Sequence, residues 1–249
     1  VQYTGTGAAR TVAHNLGSTP GMMIIKKTSS AAQWIVYHRG IASADVYFLV
    51  LNATYALSGN TNVFNSTAPT STVFTVGSDS DVNEYGATYV AYLFAHDAGG
   101  FGAAGTDSVV SCGSFTADGS GNATVSLGWE PQFVIFKTTN TTSNWRIFDT
   151  MRGASYYTDL QLFPNTSDAE TDLSGFSFFI PTATGFTASS LGSGNTYIYL
   201  AIRRGPMKTP TDATKVFKPT SQSSDLNTIT TNFPVDMMLD NRLAGSSVN

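Results

Sequence analysis

Three histidines, one cysteine and two acidic clusters are the residues of this chain with chemistry beyond packing. His14, His38 and His96 lack metal-ligand spacing to one another. A Cys–His or Ser–His–Asp arrangement would need partners that only folding could bring together. Cys112 lies in a strand-like stretch, where a lone thiol is expected to be a buried, inert apolar group. Glycoside cleavage needs two carboxylates that converge from separate strands. Asp79, Asp81 and Glu84 sit in one loop, and Asp168, Glu170 and Asp172 in another that does not repeat the first, so surface loops explain both clusters more simply. Asp79-Ser80-Asp81 with Asn83 offers oxygen ligands for calcium, but the spacing lacks the glycine and closing glutamate of an EF-hand. Walker A, zincin and Gly-x-Ser-x-Gly motifs are absent. The expectation is a chain with no catalytic residues, no metal and no cofactor.

A second constellation is aromatic. Trp34 is followed by His38 and Arg39, and Trp145 by Asp149 and Arg152. One reading is a sugar platform, with the indole stacked on a pyranose while the polar residues bond its hydroxyls. The other is a core anchor in each case, since both tryptophans open an apolar alternation. If both are core anchors, replacing either by Ala costs about 3–5 kcal/mol. Tyr156 and Tyr157 occupy an insertion, and loops that differ between related units are where binding specificity goes. Either they contact a ligand or neighbouring subunit, or they pack in the fold.

The elements that position these residues are repeated. Leu16-Gly17-Ser18-Thr19-Pro20-Gly21-Met22-Met23-Ile24-Ile25-Lys26 returns as Leu127-Gly128-Trp129-Glu130-Pro131-Gln132-Phe133-Val134-Ile135-Phe136-Lys137. Lys26 and Lys137 are 111 residues apart (137 − 26), and so are Trp34 and Trp145 (145 − 34). Arg39-Gly40 matches Arg152-Gly153 after a two-residue insertion, Leu49 and Leu51 align with Leu160 and Leu162, and Tyr89 aligns with Tyr197. The units are residues 1–102 and 107–207. Residues 208–249 form a connector and the start of a truncated third repeat, where Asn232-Phe233-Pro234 resembles the approach to Lys26. The chain begins at Val1 and reads as part of a longer protein.

Short runs rich in Val, Ile, Thr, Tyr and Phe, bounded by turn residues, predict strands throughout. Phe133–Phe136 and Tyr197–Leu200 look apolar on both faces, as in a central strand. Helical turns are expected only over 156–163 and 168–173. Asp118-Gly119-Ser120-Gly121-Asn122 reads as a hairpin tip, and 98–105 as a flexible linker. The fold class is all-β: two tandem antiparallel β-sandwich, jelly-roll-like units plus a C-terminal extension.

Composition bounds the partners. Charged residues are 12% of the chain against 41% apolar, and the net charge is −4. That excludes a basic nucleic-acid footprint and a polybasic membrane patch. No apolar run approaches the roughly 20 residues of a membrane helix, so no membrane insertion is expected. A single cysteine allows no intrachain disulfide. Five Asn-x-Ser/Thr sequons are what so Asn- and Thr-rich a chain produces by composition.

Tyr3-Thr4-Gly5-x-Gly7, Val12-x-His14-Asn15-Leu16-Gly17 and Trp34-x-Val36-Tyr37-His38-Arg39-Gly40, with Tyr89-Val90-Ala91-Tyr92-Leu93-Phe94-Ala95-His96, carry a resemblance over residues 1–102. The pattern resembles a domain of unknown function found in structural proteins of tailed bacteriophages, among them tail-fibre and appendage proteins. The second unit keeps only its landmarks. The resemblance implies a virion location, a non-catalytic role in host-surface attachment or assembly, and partners that are other virion subunits, a homo-oligomer (a trimer by class) and a host glycan or protein. A capsid decoration or spacer without a ligand is the alternative, and a carbohydrate-binding module or depolymerase a second.

Overall fold

The computed structural model describes residues 1–102, 104–154, 160–172, 178–205 and 218–219. Residues 1–206 make one compact unit and 207–249 another. Of the latter only Lys218 and Pro219 are described, both exposed. The expected third-repeat start therefore lies outside the described residues.

The first repeat contains β1 (Gln2–Thr4), β2 (Arg10–Ala13), β3 (Pro20–Lys27), β4 (Trp34–His38), β5 (Tyr47–Val50), β6 (Ser58–Gly59), β7 (Val73–Val76) and β8 (Thr88–Ala95), with single-turn helices α1 (Thr61–Phe64) and α2 (Ser80–Asn83). The second contains β9 (Val110–Thr116), β10 (Ala123–Ser126), β11 (Pro131–Thr138), β12 (Arg146–Asp149), β13 (Leu160–Leu162), β14 (Thr171–Asp172), β15 (Phe179–Thr182), β16 (Gly185–Ala188) and β17 (Thr196–Arg203). One large antiparallel sheet runs β1-β8-β3-β4-β5-β6, and the other runs β9-β17-β11-β12-β13-β14. Strand for strand the order is the same. Each large sheet backs onto a small one, β2-β7 or β10-β16-β15.

The shared landmarks have local causes. Gly17 and Gly128 hold φ of 77° and 79°, a left-handed turn that admits the chain to β3 and β11. Pro20 and Pro131 open those strands, and both are followed by a register shift against β8 or β17. The missing N–H sits where the ladder is already irregular. Lys26 and Lys137 lie next to the last residue of the same strands, and their ammonium groups hold the following hairpin loop through backbone carbonyls, Lys26 on Ala32 (2.7 Å) and Lys137 on Thr141 (3.5 Å), with Thr138 at the strand end (3.1 Å).

Register confirms most of the sequence alignment and corrects part of it. Met22↔His38 and Ile25↔Ile35 have Phe133↔Asp149 and Phe136↔Arg146 as counterparts. On the next strand, Val36 faces Leu49 while Ile147 faces Leu162. Leu49 therefore corresponds to Leu162, not Leu160, because the two-residue insertion before Arg152-Gly153 is still present at β13. Asn52 and Asn165 confirm the shift, since their side-chain oxygens accept from the N–H of Trp34 and Trp145 at 2.9 Å each.

Two local expectations fail among the described residues. The helical turns form at 61–64 and 80–83, where Asn60 and Asp79 cap the N-termini through Asn62 and Asp81 N–H; residues 160–162 and 171–172 are strands instead. The 118–122 turn does not close a hairpin, because β9 pairs with β17 and β10 with β16. It is a corner between sheets, tied by Asp118 to the N–H groups of Ser120 and Asn122. In the stretch read as a linker, residues 98–102 and 104–107 carry backbone bonds and a Phe101↔Asp107 bridge.

The two repeats share a core. Residues of a strand alternate between faces. On β11, β12 and β17, Val134, Phe136, Phe148, Tyr197 and Tyr199 turn to their own small sheet. Ile135, Trp145, Ile198 and Leu200, with Cys112, belong to the cluster that contains Met22, Val36 and Leu49 of the first repeat. The layers therefore run small sheet, large sheet, large sheet, small sheet. This is why Tyr197–Leu200 is apolar on both faces. The junction is close: a Cβ on Gly21 would lie 2.7 Å from that of His96 and 2.8 Å from that of Cys112. The His38 imidazole meets the Tyr199 carbonyl at 2.9 Å, and Trp145 Nε1 donates to the Val50 carbonyl at 2.9 Å.

Candidate functional site

The tryptophan constellations do not form one site. His38 and Trp145 are sealed in the junction between repeats, where no ligand reaches them. Arg39 is exposed and its guanidinium reaches the Cys112 carbonyl at 3.4 Å. Asp149 caps a 3-10 turn at Thr150–Arg152 by accepting from Met151 N–H. Arg152 bridges to Glu170 at 2.6 Å and lies 3.9 Å from Asp149. These five residues bind the chain to itself. Trp34 is half-buried, with the Lys26 ammonium 5.6 Å from its ring centre. Tyr156 and Tyr157 lie outside the described residues.

The groups with chemical potential are likewise engaged. Burial pushes the Cys112 thiol up to about 12, so the thiolate nucleophile is suppressed. Asp79 and Asp81 serve α2, and Glu84 pairs with Lys27. Among the described residues no group of His, Cys, Asp and Glu could hold a metal.

A different place emerges when the repeats are compared. In the first, the connection from β7 to β8 is 77–87 and contains α2. It packs over β3 and β4, buries Val82, and takes the Gln33 N–H on Asp81. In the second, the connection from β16 to β17 is 189–195, four residues shorter, and has no helix. The anchor survives: Tyr89 OH accepts from Glu84 N–H, and Tyr197 OH from Gly192 N–H. What has gone is the turn of helix between. In its place is a cleft of about 240 Å³, space for about eight waters.

Its lining suits a polyhydroxylated ligand. Phe136, Phe178 and Tyr197 form the apolar floor, while the 141–144 loop, Ser190 and Asn195 supply hydroxyls and amides around the rim. Asn195 is held by Asn140 at 3.3 Å and Thr141 at 3.4 Å. Arg146 enters from β12 at the position that Ile35 fills in the first repeat. Its guanidinium lies 4.4 Å over the Phe178 ring and bonds Gln161 at 2.6 Å. Burial lowers its pKa, yet a guanidinium keeps its charge. It holds a fixed cation at the floor with N–H donors to spare.

A family model for a domain of unknown function, DUF7483, matches residues 1–206. The chain belongs to this family. The DUF7483 domain thus takes in both repeats and the core between them. No curated protein and no solved structure matches the chain.

The cleft was missed at the sequence level, although two signals were there. The repeat alignment sets Arg146 against Ile35, and its offset falls from 111 at the tryptophans (145 − 34) to 108 at Tyr89 and Tyr197 (197 − 89). Both mark a place where the second unit stops filling its own core.

Proposed function

We propose that this DUF7483 protein is a non-catalytic component of a tailed-phage virion, an appendage or tail-fibre part, whose second repeat binds a host-surface saccharide in the cleft over Phe136 and Arg146. The observation that carries the reading is the missing helical turn: the first repeat plugs the position with α2, and the second leaves it open above an arginine. Aromatic floor, neutral polar rim and one cation suit sugar rings, which offer apolar faces and many hydroxyls. The resemblance of residues 1–102 to phage structural proteins supports the virion setting.

The size of the cleft sets the affinity. At about −0.3 kcal/mol per heavy atom, a single sugar gains roughly 4 kcal/mol, about millimolar. Useful attachment then requires many copies acting together, as an appendage provides.

Binding to a panel of bacterial surface glycans in multivalent display, and to host cells, tests this. Saturable binding is expected, and it should fall at least about tenfold in Arg146→Ala and in Thr142→Trp; the second change fills the cleft from an exposed rim position. Binding that ignores both changes, or no binding to any glycan, would reject the site and favour a decoration or spacer role.

A further inference from the structure

The same comparison exposes a second surface. On the face of the second large sheet that turns to the first repeat, Ile135, Lys137, Trp145, Ile198 and Leu200 are all buried. Their counterparts by register are Ile24, Lys26, Trp34, Val90 and Tyr92. None of these is buried, and Tyr92 is 48% exposed. At the other end of the same face the order reverses, with Met22, Val36 and Leu49 buried and Phe133, Ile147 and Leu162 only partly so, so the first repeat leaves the Trp34 end of this face incompletely covered.

Part of what covers the second repeat is the first repeat's segment 50–57, at and after the end of β5, beside Met22, Val36 and Leu49 of its large sheet. Val50 accepts the Trp145 indole N–H, Thr54 accepts from Ser143 N–H, and Leu57 N–H donates to Thr139, each at 2.9 Å. The matching segment of the second repeat is 163–170, since Asn165 answers to Asn52. It begins with Phe163 and Pro164, partly buried, and ends in the exposed run 166–170, which carries Asp168.

We infer that the Trp34 face is a docking site for a second copy of this chain, whose 163–170 segment covers it as segment 50–57 covers Trp145. The occupant follows from continuity with the interface inside the molecule. Asp168 on the incoming segment complements Lys26 on the face. Such contact is head-to-tail, with different surfaces on the two partners, and it extends into rings or open chains. It does not depend on what the cleft binds.

Sedimentation velocity and tryptophan fluorescence of the full chain over rising concentration test the inference. Self-association is expected, with a blue shift from Trp34, because Trp129 and Trp145 are already buried. Trp34→Arg and Tyr92→Glu, both at incompletely buried positions, should each weaken association by about thirtyfold or more, as loss of a central aromatic anchor does. Ser167→Arg with Asp168→Arg should do so from the other side. An equimolar mixture of a face variant and a segment variant should recover a dimer and stop there, since each keeps one working surface. A chain that stays monomeric, or variants that associate like the parent, would overturn the inference. So would a mixture that fails to dimerise while the parent associates, because that points to a symmetric contact.

Discussion

Trp145→Ala is expected to lower the free energy of unfolding by about 3–5 kcal/mol and to leave a single cooperative transition for residues 1–206. The indole is fully buried and its N–H donates to the Val50 carbonyl of the other repeat. Truncation therefore opens a cavity between two large sheets and removes the partner of a buried carbonyl. Because Trp145 shares one cluster with Met22, Val36 and Leu49, the loss falls on both repeats at once. Trp34→Ala supplies the internal comparison. The residue is half-buried, and its loss should cost only about 1 kcal/mol, the common size for a point mutation. Guanidinium denaturation followed by far-UV circular dichroism measures both. Equal costs for the two tryptophans, or two separate transitions in the parent chain, would contradict the shared core.

That asymmetry marks where sequence reasoning reached its limit. The repeat was legible because its landmarks answer to local geometry: a positive-φ glycine, a proline at a ladder irregularity, and a lysine that holds a hairpin loop. Strand content was legible for the same reason, since short β-branched and aromatic runs between turns leave few other options. The apolar character of both faces of Tyr197–Leu200 was also visible. Its cause, a second sheet stacked on the outer face, depends on contacts between distant segments that no local pattern encodes. Trp34 and Trp145 look alike in sequence and differ only in what the other repeat does to them.

The candidate site illustrates the same division. Trp34, His38, Arg39, Trp145, Asp149 and Arg152 attracted notice because aromatic and polar residues stood together in the sequence. In the fold, four of them hold the junction or cap a turn. Arg146 and Asn195 drew no notice, since a lone arginine on a strand and an asparagine in a glycine-rich turn are ordinary. They acquire meaning only once α2 is seen to occupy the corresponding space in the first repeat. Duplication gives each repeat a reference state, and departures from it (an arginine for Ile35, four residues lost before β17, an open face around Trp34) identify surfaces freed for something other than folding.

The junction should also make the fold acid-sensitive. His38 is fully buried, and both ring nitrogens are used in the neutral form: one donates to the Tyr199 carbonyl at 2.9 Å, and Nδ1 accepts from Gly40 N–H at 3.0 Å. Protonation would place a charge in the core and destroy the second bond. Burial first, then the nearby Arg39 and His96, lower its pKa to about 4, against the opposing bond to Tyr199. Above about pH 6.5 the imidazole is neutral in both folded and unfolded chains and nothing is lost. As pH falls below that value the unfolded chain takes up the proton and the folded one does not, until about pH 4. Stability therefore drops across this window, by about 3 kcal/mol at its lower end. His38→Gln removes the titration. The variant should be less stable than the parent near neutral pH, yet lose about 3 kcal/mol less on acidification to about pH 4. Contributions from parts of the chain that do not interact with His38 are the same in both proteins and cancel in the difference. Parallel stability curves for parent and variant through this window would show that His38 does not couple the junction to pH.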